Sequence, residues 1–257
     1  MTVHFGPMIE SHLSQGVMRI TLQHRKASAL DLELCDALRQ EFERAAERDD
    51  VRAMILTGTG SIFSAGVDLP RLIDSGGDYV QRFVEALDAM LRALFLFPKP
   101  AVAALNGHAI AGGAIMAFAS DYRLMSGGRI GVPEALVGVP FPPLALEIVR
   151  FSVARQYIQS LIYLGWTVEP DRALALGLID EVVPGEQLLP RALEVARQVA
   201  EIAPDAFRLT KRQLREPFLR HAAHIASTTA DTIDALWAAP ETHTRIRAYL
   251  AKTIGRK

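Results

Sequence analysis

One stretch constrains this chain more than any other. From Ala101 to Ser120 there is no Asp, Glu, Lys or Arg. Such a run is long enough to cross a bilayer as a helix. Asn106, Gly107, His108, Gly112 and Gly113 interrupt it, and Pro98 and Pro100 stand just before it. Polar groups and adjacent glycines in mid-run suit a passage buried in protein better than a lipid-facing helix. The expectation is a strand, a glycine-bearing turn and a helix inside a large core, with no membrane partner. Composition agrees. Half of the 257 residues are hydrophobic, which excludes a disordered tail or a disulfide mini-protein. The formal net charge of −1 gives no global field to attract nucleic acid. Cys35 is the only cysteine, so neither an internal disulfide nor a Cys-rich metal site is expected. The first residues carry no leader pattern and Gly255-Arg256-Lys257 is no peroxisomal signal, so a cytoplasmic protein is expected.

The long uncharged run sits in a repeating order. Met8 to His12 and Val17 to Gln23 flank Ser14-Gln15-Gly16 and read as a hairpin. A helical period covers Asp31 to Arg48, with Leu34, Leu38, Phe42 and Ala45 on one face. Val51 to Thr57 reads as a strand, and Tyr79 to Phe97 as a helix that Pro98-Lys99-Pro100 breaks. Then come a strand at Ala101 to Leu105, a loop at Asn106 to Ile110, a helix at Ala111 to Ser120 and a strand at Tyr122 to Met125. That order predicts right-handed α/β winding with parallel strands. Beyond Pro184 the pattern is helical. The division expected is a core over 1–187 and a helical region over 188–257.

Three segments carry candidate chemistry. In Phe63-Ser64-Ala65-Gly66-Val67-Asp68-Leu69, small residues allow a ligand to approach backbone N–H groups. Read alone, it is also a tight turn in which Asp68 caps a short helix. In the segment from Asn106 to Ala117, Gly112 and Gly113 open a helix whose free N–H groups favour negative charge. Close backbone packing accounts for the same glycines. In the third, Glu134 stands among Val132, Pro133, Ala135, Leu136 and Val137. A carboxyl in apolar surroundings holds its proton more tightly, which suits an acid/base near neutral pH. Most glutamates are simply solvated. No complete dinucleotide fingerprint, Walker sequence, Gly-x-Ser-x-Gly elbow or metal-ligand spacing appears.

In order and spacing, these segments resemble the crotonase superfamily, the enoyl-CoA hydratase/isomerase family. Arg25-Lys26-Ala27-Ser28-Ala29-Leu30 resembles its first coenzyme A contact, with Ser28 where Asn is common. Ala173 to Ile179, ending in Val182-Val183-Pro184, is similar to the segment before its helical tail. The resemblance implies the ClpP/crotonase spiral β-β-α core with a C-terminal helical region used in oligomerisation, as a homotrimer or a dimer of trimers. It implies an acyl-CoA thioester as substrate, coenzyme A being part of that substrate and no separate cofactor or metal being required. The N–H groups of Ala65 and Gly112 would bind the thioester oxygen, and Glu134 would move the proton. Lys26, Ala27, Ala29, Ser64, Gly66, Val67, Asp68, Leu69, Arg71, Gly113 and Lys211 would contact the coenzyme A or acyl parts. Lys211 shares a helical face with Arg208, Arg212 and Arg215, which also reads as a solvated basic face.

One departure points to the reaction. Hydratases of this family carry two glutamates; the second matches Glu134, but Ile115 stands where the first would be. Moving a double bond needs one base only, so the resemblance favours the Δ3,Δ2-enoyl-CoA isomerase branch. A hydratase using Glu134 alone, another crotonase-type lyase and a non-catalytic acyl-CoA-binding protein are the alternatives.

Overall fold

The computed structural model describes residues 7–25 and 27–254. Strands β1 (Ile9–Ser14) and β2 (Val17–Leu22) form the expected antiparallel hairpin. Gln15 and Gly16 turn it with φ of +52° and +79°. Two positive φ angles match the right-handed twist of the flanking strands. Helix α1 (Leu32–Glu47) follows, with Asp31 capping Leu34 N–H at 2.9 Å. Its Leu34, Leu38, Phe42 and Ala45 face is buried.

The next elements wind as a spiral. Strands β3 (Ala53–Thr57) and β4 (Ile62–Ser64) lead into α2 (Leu69–Asp74) and α3 (Gly77–Phe95). Strands β5 (Ala101–Leu105) and β6 (His108–Ile110) lead into α4 (Gly112–Ala119). Strands β7 (Tyr122–Met125) and β8 (Ile130–Gly131) lead through a 3₁₀ turn at Pro133–Val137 into α5 (Pro143–Ser152) and α6 (Arg155–Tyr163). After β9 (Thr167–Val168), α7 (Pro170–Ala175) and β10 (Glu181–Val182), the chain continues as α8 (Leu188–Ala200), α9 (Pro204–Ala238) and α10 (Pro240–Ile254).

Each turn of the spiral therefore gives one strand to each of two sheets. The larger sheet has the order β1-β2-β3-β5-β7-β10, parallel from β2 onward. The smaller has the order β4-β6-β8-β9, with β4, β6 and β8 parallel. The segment expected as a loop at Asn106 to Ile110 contains β6. The whole second sheet lies in pieces of two or three residues, too short for a period-2 signal.

The larger sheet is covered on both faces. Ala53, Ile55, Val102 and Ala104 meet Leu188, Ala192 and Val195 of α8. Met54, Leu56, Ala103 and Leu105 point into the main core with α1, α3 and α4. Burial on both faces explains why β3 and β5 are continuous apolar runs. It also settles the 101–120 run: β5, β6 and α4 fill the centre of the protein. Among the described residues, no helix is long and apolar enough to cross a membrane.

Helix α9 is fastened to this core by buried charge. Asp121 accepts from Lys211 Nζ and from Arg215 Nη2, both at 2.7 Å. Arg215 also donates to Phe95 O at the end of α3 and to Ala119 O at the end of α4. Helix C-termini carry unpaired carbonyls and favour a cation.

Candidate active site

The first wall of the site is backbone. The turn at residues 27–30 is stitched to residues 64–68 along its length. Ala65 N–H donates to Ala27 O at 3.0 Å, Leu30 N–H to Gly66 O at 2.7 Å, and Asp68 N–H to Leu30 O at 2.9 Å. Ser64 Oγ donates to Ser28 O at 2.8 Å and accepts from Gly66 N–H at 3.2 Å. Gly66 O and Asp68 N face Leu30, so Val67 N–H points the other way, because successive residues of an extended segment alternate. Val67 N–H has no acceptor among the described residues.

This corrects the donor expected from sequence. Ala65 N–H is spent on Ala27 O, and the free donor of this loop is Val67. The direction of an N–H depends on which strand edge it lies on, and composition does not carry that.

The second free donor is the expected one. Gly112 is the first residue of α4, and its N–H has no acceptor among the described residues. Ala111 before it has φ +52°, while its own N–H is tied to Gly131 O at 2.8 Å. Glycine is required where the two loops meet. A Cβ on Gly66, whose φ is +77°, would lie 2.6 Å from Ile110 O and 3.0 Å from Gly112 N. A Cβ on Gly113 would lie 2.5 Å from Ser64 O. These contacts leave no room for a side chain and bring the two loops together.

The opposite wall is a single carboxyl. Glu134 lies in the 3₁₀ turn after β8. The residue keeps some exposure along its length, but its Oε2 is buried and has no hydrogen-bond partner. Burial pushes the carboxyl up to about 8. A cavity of about 60 Å³ joins the walls. Ala65, Val67, Ile110 and Ala111 line one side, and Pro133 and Glu134 the other. Val137, Val139 and Trp237 also line it, as do Leu69 and Tyr249. Glu134 is the only carboxylate among the lining residues. Ile115 is not among them; it is buried in the core.

A model of the enoyl-CoA hydratase/isomerase family matches residues 12–253. The chain belongs to this family. A putative enoyl-CoA hydratase of Thermus thermophilus is 35% identical over 193 residues, 74% of this chain and 76% of that protein. The mitochondrial enoyl-CoA delta isomerase 1 of Rattus norvegicus is 27% identical over 213 residues, 81% of this chain and 74% of that protein. The human mitochondrial delta3-delta2-enoyl-CoA isomerase has the same fold, with a TM-score of 0.91 over 98% of this chain and 100% of that one at 24% identity. The spiral is thus the crotonase fold. Hydratases and isomerases both stand among the relatives.

The other residues expected to serve an enoyl-CoA site are scattered more widely. Ala27 and Ala29 lie in the turn that holds the first wall, and Lys26 lies outside the described residues. Asp68 caps α2 through Arg71 N–H at 3.1 Å and accepts from Arg25 at 3.3 Å. Arg71 is spent on acids: it reaches Glu33 at 2.6 and 2.7 Å and Asp31 at 2.9 Å, and stacks over Tyr79. Asp31 is further held by His24 at 2.8 Å. Lys211 is away from the cavity, with its ammonium on Asp121 and Lys99 O. The phosphate contact expected of it is replaced by an internal pair, and burial pulls the amine down to about 8. Leu72, Phe83 and Leu87 are core residues and do not line the cavity. Trp237 and Tyr249, which do line it, come from the C-terminal helices and carry no local signal that marks them.

Proposed function

We propose that this enzyme isomerises a 3-enoyl-CoA to the trans-2-enoyl-CoA, with Glu134 as the single acid/base. The observation that carries the reading is the buried, unpartnered Oε2 of Glu134 in a cavity that Val67 also lines, with the unpaired N–H groups of Val67 and Gly112 on the facing loops. The thioester oxygen accepts from Val67 N–H and Gly112 N–H. Ionised Glu134 removes a proton from C2, and the negative charge moves onto the oxygen. The 3,4 double bond shifts to 2,3 as the Glu134 carboxyl returns the proton to C4. Atoms and electrons balance without water, oxidant or reductant. One oxyanion donor is typically worth about 2.7–4 kcal/mol of barrier. A base raised to about 8 is a stronger proton acceptor than an ordinary glutamate and still releases its proton near neutrality.

Hydration is the second reading, favoured by the likeness to the Thermus thermophilus protein. It requires a water to be activated and a proton placed on C2, and the lining offers one carboxyl for both tasks. A cytoplasmic homotrimer or dimer of trimers belongs to the same proposal. Exposed Leu136, Tyr163 and Leu164 support assembly, which light scattering measures. The helices over 188–257 then both close the cavity and serve assembly.

The deciding experiment offers the protein trans-3-hexenoyl-CoA and crotonyl-CoA in parallel, with Glu134→Gln as control. Conjugation of the first, lost in the variant, is the expected result. Water addition to the second without isomerisation overturns the assignment in favour of a hydratase. Silence on both points to another crotonase-type reaction or to a binding protein.

A further inference from the structure

We infer that Trp237 is the stop that sets the length of the acyl chain, and that the natural substrates are short-chain thioesters. The inference rests on the acyl-CoA reading of the cavity and adds a specificity-determining residue to it.

Burial gives the cavity a direction. Ala65 is exposed, and Val67 and Leu69 are partly exposed, so this end opens to solvent. Val137, Val139 and Trp237 are 5%, 4% and 2% exposed, so the other end is closed. A residue at the mouth would meet water; Trp237 does not. Val67, one of the two oxyanion donors, belongs to the open end, and Trp237 to the closed one, so the tail of a bound thioester runs toward Trp237.

Trp237 is also pinned. Its indole Nε1–H donates to Pro140 O at 3.0 Å. Its ring packs on Phe83 with centroids 6.3 Å apart, and Phe83 stacks on Tyr79 at 6.4 Å. A side chain held by a hydrogen bond on one edge and by a neighbouring aromatic ring does not swing aside to admit more carbons. Behind it lies the apolar core around Phe83 and Leu87. Truncation of Trp237 would therefore lengthen the cavity into apolar surroundings without exposing a buried polar side chain.

The test measures binding of butyryl-CoA and decanoyl-CoA by calorimetry, which needs no turnover. It then compares rates on trans-3-hexenoyl-CoA and trans-3-decenoyl-CoA. Trp237→Ala and Trp237→Leu are compared with the unmodified protein, each checked for folding by thermal melting. The unmodified protein is expected to favour the short chain by about tenfold or more, as pockets that must reject extra methylenes do. Either variant is expected to shift the long-to-short ratio toward the long chain by about tenfold. An unchanged ratio in a folded variant, or equal binding of both chains by the unmodified protein, overturns the role of Trp237 and leaves the acyl-CoA reading standing. Failure of both thioesters to bind any of the three proteins removes the acyl-CoA reading itself, and the inference with it.

Discussion

The two walls of the cavity are built on opposite principles. On the wall of residues 27–30 and 64–68, the backbone groups around the donor are paired, and the pairing aims the one that is left over. On the wall of Glu134, the carboxyl oxygen is buried and nothing pairs it. The first wall gains direction from satisfied hydrogen bonds; the second gains reactivity from an unsatisfied one. A buried polar group without a partner costs about 1–3 kcal/mol, so the second wall is held in place by the fold at the expense of stability. The comparison teaches that the two halves should fail differently when altered.

The largest difference is expected at Glu134 itself. Glu134→Gln keeps the shape of the wall and removes the base. Its isomerase kcat should fall by about 10²–10⁴, while acyl-CoA affinity changes by no more than about threefold. Full activity in the variant would break the comparison, because the unpaired carboxyl would then have no role.

Gly66→Ala attacks the paired wall. Its Cβ would press on Ile110 O, and so part the loops that carry Val67 and Gly112. The expected loss in kcat is about 10²–10³, the usual worth of one oxyanion donor. Gly60→Ala is the control: φ is +60°, but a Cβ there meets nothing within 4 Å. It should cost about 1–2 kcal/mol of stability for the left-handed backbone and leave kcat unchanged. Equal kinetic losses in both variants would show that the approach of the loops is not what matters.

The smallest effect is on stability, and it has a sign. Glu134 holds its proton in the folded state up to about 8, whereas an ordinary glutamate ionises near 4.5. Between these values the folded state binds more protons than the unfolded one, so this group lowers stability as pH rises. Glu134→Gln should therefore stabilise the protein at pH 8 and change it by almost nothing below pH 4. For a chain of this size each kcal/mol raises Tm by about 2–4 °C. Melting curves at the two pH values check it; a Tm that falls equally at both would place Glu134 in an ordinary structural role.

These walls also differed in how far the residues alone revealed them. Gly66, Gly112 and Gly113 stood out because steric necessity leaves its mark in residue type, and Glu134 because its neighbours are apolar. Helices α1 and α3 were legible through their periods, and strands β3 and β5 as short apolar runs. Val67 was not distinguishable from Ala65, since the orientation of a backbone N–H is a property of the ladder rather than of the side chain. The strands β4, β6 and β8 were too short to show a period. The basic face of α9 was visible, but not its division: Lys211 and Arg215 turn inward to Asp121, while Arg208 and Arg212 pair outward with Asp205 and Glu216. Trp237 depends on α9 and α10 folding back across the core, a long-range event that no local window contains.

The most direct measurement is an infrared titration of the carboxyl group in the intact protein, with Glu134→Gln as the subtracted reference. A rate profile alone would be ambiguous, because burial brings Lys211 to about 8 as well, and an amine gives no carboxyl band. The account predicts a protonated carboxyl C=O band that is present at neutral pH, disappears with a midpoint of about 8 and is missing from the variant. A carboxyl that is already ionised at pH 6, or a band that survives in Glu134→Gln, would contradict it.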